Sequence, residues 1–418
     1  MMRTLSACLF LLPALAHAQA SPASPVRTLR EAYRAALVNS DAVAAGEQTL
    51  RQAEALYRAA LGGSLPALSA RNDTTWQDKR TSGDSSQSDG MIRLGRSGLT
   101  GYRELALVKA SRSAVAQREQ ERLRAEQLLL GDVAGAYYGL IQAQENTAIT
   151  AQLLELADRR LVELRERVRV GRAREADALA QEVQSEALRS QLEESRRQVS
   201  ARGDLLAFLV RAPIEPQAPA ADAAAQPHPL EGYLSRLETR PDVAAARQAV
   251  KVAGGGVGIA RADFLPEVGL QANYYAYRPA ARSDSKWDAS ASVSLPLFSF
   301  GAARASVDSA KAAYSRQEYA LRAAVRAAEL DVRNAHRDFA SAVRQLEIAR
   351  RAGALAQRDY KLQTVDERRG LVTSIEVLQS LDRLNIANLA LNTALVSTRL
   401  AAIALETAAG VRPEEILR

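Results

Sequence analysis

The sequence predicts a mainly α protein with a small β part, organised as two tandem repeats of a long antiparallel coiled-coil helical hairpin and a pair of strands. Three observations lead to this prediction: an internal repeat, a sustained seven-residue apolar pattern, and alternating segments after two prolines. The composition agrees, because 47% hydrophobic side chains with only 5% aromatics suit long helices packed closely along their length.

The 418-residue chain is duplicated. The segments around Pro66 and Pro266 align without a gap at a shift of 200, and the glycines Gly171 and Gly370 align at a shift of 199. One supersecondary unit therefore occurs twice. The predicted parts are a first repeat at 21–212 (strand pair about 67–100, helical hairpin about 102–211), a Pro/Ala-rich linker at 213–229, and a second repeat at 230–418 (strand pair about 267–300, hairpin about 302–410).

The predicted long helices carry the seven-residue pattern. In the second repeat, Val325, Val332, Phe339 and Leu346 lie seven apart, with alanines three positions further on. The same register, shifted by 199, runs from Val133 in the first repeat, whereas the return helix at 176–210 is less regular. Such a repeat imposes left-handed supercoiling. A simple coiled-coil rod would explain the heptads but not a strand pair in each half.

Each proline is followed by two segments with strand character, predicted at 68–79 and 91–100, then at 268–277 and 286–300. Residues 289–295 alternate apolar and hydroxyl side chains, which is the period of a strand between two different media. Five aromatic residues fall in these segments. Strand propensity explains them, and so does anchoring at a membrane interface; they are Trp76, Tyr274, Tyr275, Tyr277 and Trp287.

Residues 1–20 are predicted to be a signal peptide. Arg3 precedes a short apolar stretch at 9–16, and small residues allow cleavage after Ala18 or Ala20. The chain is therefore expected to be exported. No uninterrupted run of eighteen apolar residues follows, so we expect any membrane contact to use strands or the surface.

The chemistry-bearing residues predict no enzyme. The three histidines, His17, His228 and His336, have no metal-ligand spacing. The run 254–256 of three glycines follows a helical pattern rather than a strand, so it fails the test for a dinucleotide site and is expected to loosen a crowded helix. The net charge of +7 comes from arginines that are scattered along the chain and form no compact basic run. An exported chain also rarely meets nucleic acid. We therefore expect no catalytic residue, no cofactor, no metal and no nucleic acid partner.

The order helix, Leu-Pro, strand, polar loop, strand, long helix, glycine turn and return helix occurs twice. With the run Leu295-Pro296-Leu297-Phe298-Ser299-Phe300-Gly301, it resembles the TolC-like outer-membrane efflux proteins, the outer membrane factors of tripartite efflux and type I secretion systems. The resemblance implies a homotrimer that pools its strands into one shared transmembrane β-barrel within outer-membrane lipid. It also implies a periplasmic extension, with a periplasmic adaptor and an inner-membrane pump as partners. The first strand pair departs from this pattern at Arg93, which we expect to line the lumen or lie near an interface.

By the same resemblance, the two glycine turns form the periplasmic tip. Charges there recur as rings in a trimer and could close a pore, or they could be ordinary solvated loop charges. The candidates for the gate are Asp366, Glu367, Arg368 and Arg369, with Arg167 and Arg169 as partners. The turns also offer small and apolar residues to an adaptor, although each glycine could simply end a helix; these candidates are Val170, Gly171, Gly370, Leu371, Val372 and Thr373.

The function predicted from this resemblance is an outer-membrane channel subunit that exports small molecules or polypeptides from the periplasm. A periplasmic coiled-coil adaptor or scaffold without a pore is the alternative. Such an adaptor would show one hairpin flanked by compact β domains rather than a repeated strand pair. A periplasmic enzyme is a third possibility, for which the sequence offers no motif. The cargo is not indicated, and the scarcity of His, Met and Cys gives no support to soft-metal transport.

Overall fold

The computed structural model describes residues 26–76, 86–217, 228–278 and 285–417. The predicted signal peptide lies outside the described residues, as do parts of the linker and of both strand-pair loops. The elements are α1 (Leu29–Asn39), α2 (Asp41–Gly62), β1 (Ala67–Trp76), β2 (Ser86–Leu99), α3 (Tyr102–Arg169), α4 (Glu175–Val210), α5 (Leu230–Leu234), α6 (Pro241–Arg261), β3 (Glu267–Tyr277), β4 (Trp287–Ser294), α7 (Ala302–Arg368), α8 (Ser374–Ala408) and α9 (Pro413–Ile416).

The two long hairpins turn at glycines. Helix α3 has 68 residues and α7 has 67, so each extends on the order of 100 Å. Gly171 and Gly370 follow these helices with φ of 71° and 76°, a conformation that glycine adopts without strain. The return helix α8 then begins with a capping box, in which Thr373 and Glu376 satisfy each other's backbone N–H groups.

The heptad positions are buried where the helices meet. Val133, Leu140 and Leu161 of α3 are covered, as are Val332 and Leu346 of α7. Helix α4 has the same 3–4 spacing, which the sequence pattern failed to show because three of its eight buried positions are polar. The buried residues are Ala178, Gln181, Ser185, Leu188, Leu192, Ser195, Leu206 and Val210.

The four strands form one antiparallel sheet in the order β1-β2-β3-β4. Strand β2 begins at Ser86, five residues before the predicted start, and pairs with β1 as far as Trp76. Strand β4 ends at Ser294, so the prediction of strand through Phe300 was wrong. Pro296 has no N–H to donate to a ladder, and Phe300 has a φ of 50°, which is incompatible with a strand. Within the described residues, the outer edges of β1 and β4 have no partner.

The two repeats pack through helices α3 and α6. A Cβ on Gly255 would lie 2.5 Å from the Cβ of Ala110, and one on Gly258 would lie 2.9 Å from that of Ala106. Only glycine permits this approach. The glycine run therefore serves close packing, rather than the loosening that the sequence suggested.

Helix α8 is, by length and composition, apolar enough to cross a membrane. Its contacts belong to a helical bundle, because Asn392 is buried and donates to Asn146 Oδ1 of α3 at 2.7 Å. Helices α7 and α8 lie side by side as a hairpin. We therefore place α8 among the packed helices of the two hairpins.

Candidate functional site: a two-faced sheet and a charged helical tip

The sheet has one apolar face and one polar face. Cross-strand pairing places whole rows of the same chemistry together, because side chains directly opposite each other share a face. The apolar rows are Leu68–Leu94–Ala272–Ala289 and Ala70–Ile92–Tyr274–Trp287. The polar face includes the row Ser69–Arg93–Asn273–Asp288.

The curvature of the sheet distinguishes the two faces. Asn273 and Asp89 of the polar face are 5% exposed, whereas Leu68 of the apolar face is 72% exposed. The sheet is therefore curled with its polar face inward. A water-soluble sheet would instead bury its apolar face. This arrangement suits a barrel wall that has lipid outside and an aqueous lumen inside.

Arg93 lies on the inner, polar face of the sheet, which is the face that would line a lumen. Its Nε donates to Asn273 Oδ1 at 2.8 Å, and Asn273 Nδ2 donates to Asp288 Oδ1 at 2.8 Å. This network crosses three strands. If the opposite face meets lipid, the placement of Arg93 on the polar face avoids the cost of about 2–4 kcal/mol that an arginine carries at midplane.

Four of the five aromatic candidates are strongly exposed. Trp76, Tyr274, Tyr277 and Trp287 lie near the hairpin-loop end of the sheet, where an outer girdle of a barrel would be. Tyr275 differs, because it lies on the polar face and its hydroxyl donates to Asp288 at 2.5 Å. Its placement does not fit a lipid-facing role.

A second exposed aromatic group lies at the opposite end of the sheet. Phe298 and Phe300 are 76% and 91% exposed, and Phe264 is also exposed. The sequence pattern predicts the first two to lie at the end of a strand and gives no signal at Phe264. The spacing of these residues from Tyr274 and Trp287, about 20 Å or more along the strands, suits the height of an apolar band.

At the far end of the helices, the two glycine turns lie beside each other around a cavity of about 600 Å³. Most of the predicted gate residues line this cavity. Its walls are Glu166, Arg167, Val170, Arg172, Glu367, Arg368, Arg369 and Gly370.

Glu367 is the centre of the charges at the tip. It is buried, and both of its oxygens accept from Arg160 of α3, at 2.8 and 3.1 Å. Arg167 approaches the same carboxylate at 3.3 Å, and the Ser374 hydroxyl donates to it at 3.1 Å. The bidentate pair of Glu367 with Arg160 joins the hairpin of the first repeat to that of the second.

The other gate candidates make weaker contacts. Arg368 lies 3.8 Å from Glu163 across the hairpins, whereas Arg369 is 4.0 Å from Asp366 on its own helix. Arg169 pairs with Glu166 within α3 and does not reach the second turn. The partnership predicted between Arg167 and the second turn is thus present in the structure, and no contact of Arg169 with that turn is described.

Among the adaptor candidates, Val170 and Leu371 are exposed apolar side chains on the two turns. Gly171 and Gly370 supply the left-handed turn conformation. Thr373 caps α8. Val372, which precedes it in the second turn, is half-buried. The tip thus presents exposed apolar side chains close to the charged cavity.

Sequence reasoning missed Arg160 and Ser374. Arg160 lies ten residues before the turn, so attention to the turn alone could not find it. The sequence does show that this arginine is next to the heptad position Leu161, so it lies at the edge of the face that is buried in the structure.

The comparisons with known proteins agree with this architecture. The profile of the outer membrane efflux protein family matches residues 233–411. The toluene efflux pump outer membrane protein TtgC of Pseudomonas putida is 27% identical over 308 residues, which is 68% of this chain. The match spans 62% of the length of that relative. The outer membrane efflux protein BepC of Brucella suis is 28% identical over 87% of this chain and 79% of its own length.

Solved structures share the fold over nearly the whole chain. The outer membrane protein VceC of Vibrio cholerae superposes with a TM-score of 0.79 at 20% identity, covering 92% of this chain and 96% of VceC. A membrane protein of Pseudomonas aeruginosa gives a TM-score of 0.82 at 20% identity, covering 91% and 92%. CusC gives 0.82 at 19% identity, covering 97% and 99%.

Proposed function

We propose that this chain is a TolC-like outer membrane efflux protein, the channel subunit of a homotrimer that exports solutes from the periplasm to the exterior. The curled four-stranded sheet carries this proposal. Its outer face is apolar, its inner face is polar, and both of its edges are unpaired among the described strands. Open edges in lipid are costly, and pooling three such sheets into one barrel closes them.

The long helices of the chain have a length that suits a periplasmic duct. Helices on the order of 100 Å long follow each strand pair and would continue the lumen below the membrane. A channel needs neither a catalytic residue nor a cofactor. In this proposal a periplasmic adaptor contacts Val170 and Leu371 at the tip, and an inner-membrane pump drives export.

We infer that the charges at the tip hold the duct closed. The support is the buried pair between Glu367 and Arg160, which ties the two hairpins of one protomer together. Isolated surface ion pairs such as Arg169 with Glu166 are worth only about 0–1 kcal/mol. The buried pair is therefore the main element of the latch, and Arg167, Arg368, Arg369 and Asp366 surround it.

Two of the relatives are described as acting in toluene efflux and in pyoverdine export. These descriptions favour small organic molecules over polypeptides as the cargo. A tripartite efflux system is then the better match than type I secretion. The adaptor-like alternative without a pore has no support from the two-faced sheet.

The test is conductance in planar bilayers. The purified protein is expected to migrate as a trimer and to give small, infrequent openings. Variants Glu367→Gln and Arg160→Gln are expected to raise the conductance or the fraction of open time, because each weakens the latch. A water-soluble monomer without conductance would refute the channel, and unchanged conductance in both variants would refute only the latch.

A further inference from the structure

A cavity of about 490 Å³ lies between the first turns of α3 and the last turns of α6, just below the sheet. It is separate from the tip and from the sheet. The lining residues are Tyr102, Leu105, Ala106, Lys109, Arg112, Ser113, Lys251, Gly254, Gly255 and Gly258.

The rim of this cavity is cationic. In the part of the chain that the structure describes, Lys109, Arg112 and Lys251 have no carboxylate within salt-bridge distance, and no acidic residue lines the cavity. Many other arginines of the helices do have such a partner, as Arg118 has in Glu121. Three unneutralised cations around one cavity favour an anion there.

The floor of the cavity is apolar. Tyr102 and Leu105 form part of this floor and are half exposed. The floor is shallow because Gly255 and Gly258 let α6 approach α3 closely. A simple inorganic anion would leave this floor unused. An anion with a hydrocarbon part would cover it and gain from burying that surface.

The handedness of the strands decides on which wall of the duct the cavity opens. Tyr275 points to the lumen and its N–H donates to Lys286 O on the β4 side, at 2.8 Å. An L-residue that points at the viewer from an upward strand has its N–H on the right. Strands β1 to β4 therefore run from left to right as seen from the lumen, with the loops upward.

The helices below follow the same order, α2, α3, α6 and α7. Seen from its first residue, α3 turns clockwise by about 100° per residue. With Ala106 facing α6 on the right, Arg103 and Leu107 turn toward the lumen. Lys109 and Arg112 turn to the outer wall.

The depth of the cavity matches the inner leaflet of the membrane. The exposed Phe298 and Phe300 mark the lower edge of the apolar band. Lys109 lies about 10 Å along α3 below its first residue. The interfacial zone of a bilayer is roughly 5–8 Å thick on each side, and lysine and arginine side chains extend toward it from below.

We propose that this cavity binds an anionic phospholipid of the periplasmic leaflet. Lys109, Arg112 and Lys251 contact the phosphate, and the apolar floor with Tyr102 and Leu105 receives the first carbons of the acyl chains. The bound lipid fixes the height of the duct in the membrane. The proposal rests on the outer-membrane placement of the sheet given above.

Native mass spectrometry of the full-length protein purified from membranes tests this. The protein is titrated with dioctanoyl-phosphatidylglycerol, with dioctanoyl-phosphatidylcholine and with inorganic phosphate. We expect phosphatidylglycerol to bind and the triple variant K109Q/R112Q/K251Q to weaken it by about tenfold or more, since each cation near an anionic headgroup contributes. The control R344Q/R350Q/R351Q removes the same charge from α7 far from the sheet, and it is expected to bind like the wild type.

Three outcomes would overturn the proposal. These are equal binding of phosphatidylglycerol by the first triple variant and the wild type, equal binding of phosphatidylcholine, and displacement of the lipid by inorganic phosphate at the same concentration. The last outcome would identify a free-phosphate site. Conductance is recorded on the same preparations. A protein that conducts but fails to bind the lipid refutes only this inference, whereas one that neither inserts nor conducts refutes the channel.

Discussion

The two repeats have the same order of strands, long helix, turn and return helix, but different chemistry. Their long helices differ by one residue in length, and their turns are made by glycines with similar φ. At a shift of 199, however, Glu367 corresponds to Val168, and Arg160 corresponds to Asp359. The first repeat therefore supplies the cation and the second supplies the carboxylate. Duplication provides the scaffold, and the differences between the copies bind one copy to the other.

The strongest test of this asymmetry is Glu367→Ala. It leaves the Arg160 guanidinium buried without its carboxylate, and breaking such a pair costs about 3–5 kcal/mol. We expect a clearly lower midpoint of thermal unfolding for the purified protein. The matched controls are Val168→Ala at the corresponding position and Arg169→Ala at an exposed pair, the latter worth about 0–1 kcal/mol. If Glu367→Ala destabilises no more than Arg169→Ala, the pair does not join the repeats.

A smaller effect is expected at the helix crossing that only the second repeat makes with glycine. Gly255→Val would force atoms into the space of Ala110, and overpacking of this kind costs about 1–3 kcal/mol. The control is Gly256→Val at the next residue, where an added Cβ meets no atom within 4 Å, so stability should change by about 0.5 kcal/mol or less. Heat dissociation of the oligomer in detergent measures both. Equal effects would show that the crossing tolerates side chains.

The smallest change should be stabilising. Ser185 of α4 is fully buried, and its hydroxyl has no hydrogen-bond partner among the described residues. The corresponding residue in the second repeat is Leu384. Ser185→Ala is expected to raise the free energy of unfolding by about 1 kcal/mol, because it removes an unsatisfied polar group.

Its control is Ser380→Ala, which removes a hydroxyl that donates to Val377 O at 2.7 Å. This change should destabilise by about 0.5–1.5 kcal/mol. Calorimetry on the two variants would show opposite signs. The same sign for both would mean that water satisfies Ser185.

Long periodic elements could be predicted from the sequence, whereas single contacts between distant segments could not. The heptads from Val133 and Val325 predict the buried stripes of α3 and α7. An apolar period of seven places the apolar residues along one face of a supercoiled helix. The stripe of α4 was missed, since Gln181 satisfies its amide on Ala157 O only once the hairpin is folded. A polar residue at a core position has no periodic signal.

The candidate site divides in the same way. The turn glycines and the charges around them could be located from the sequence, because they are local features. The role of Arg160 depends on a carboxylate 207 residues away. The opposite facing of Tyr274 and Tyr275 also needed the strand register, because a shift of one residue exchanges the two faces of a sheet.

By itself, the sequence determined the duplication, the helical hairpins, the strand pairs and the positions of the turns, because these depend on periodicity and on backbone preferences of nearby residues. Only the tertiary structure decided that the apolar face of the sheet is turned outward, that Glu367 joins the two repeats, and that three unpaired cations surround one cavity. The reason is that burial and charge pairing depend on distances between segments far apart in the chain, and those distances exist only after the helices and strands have packed.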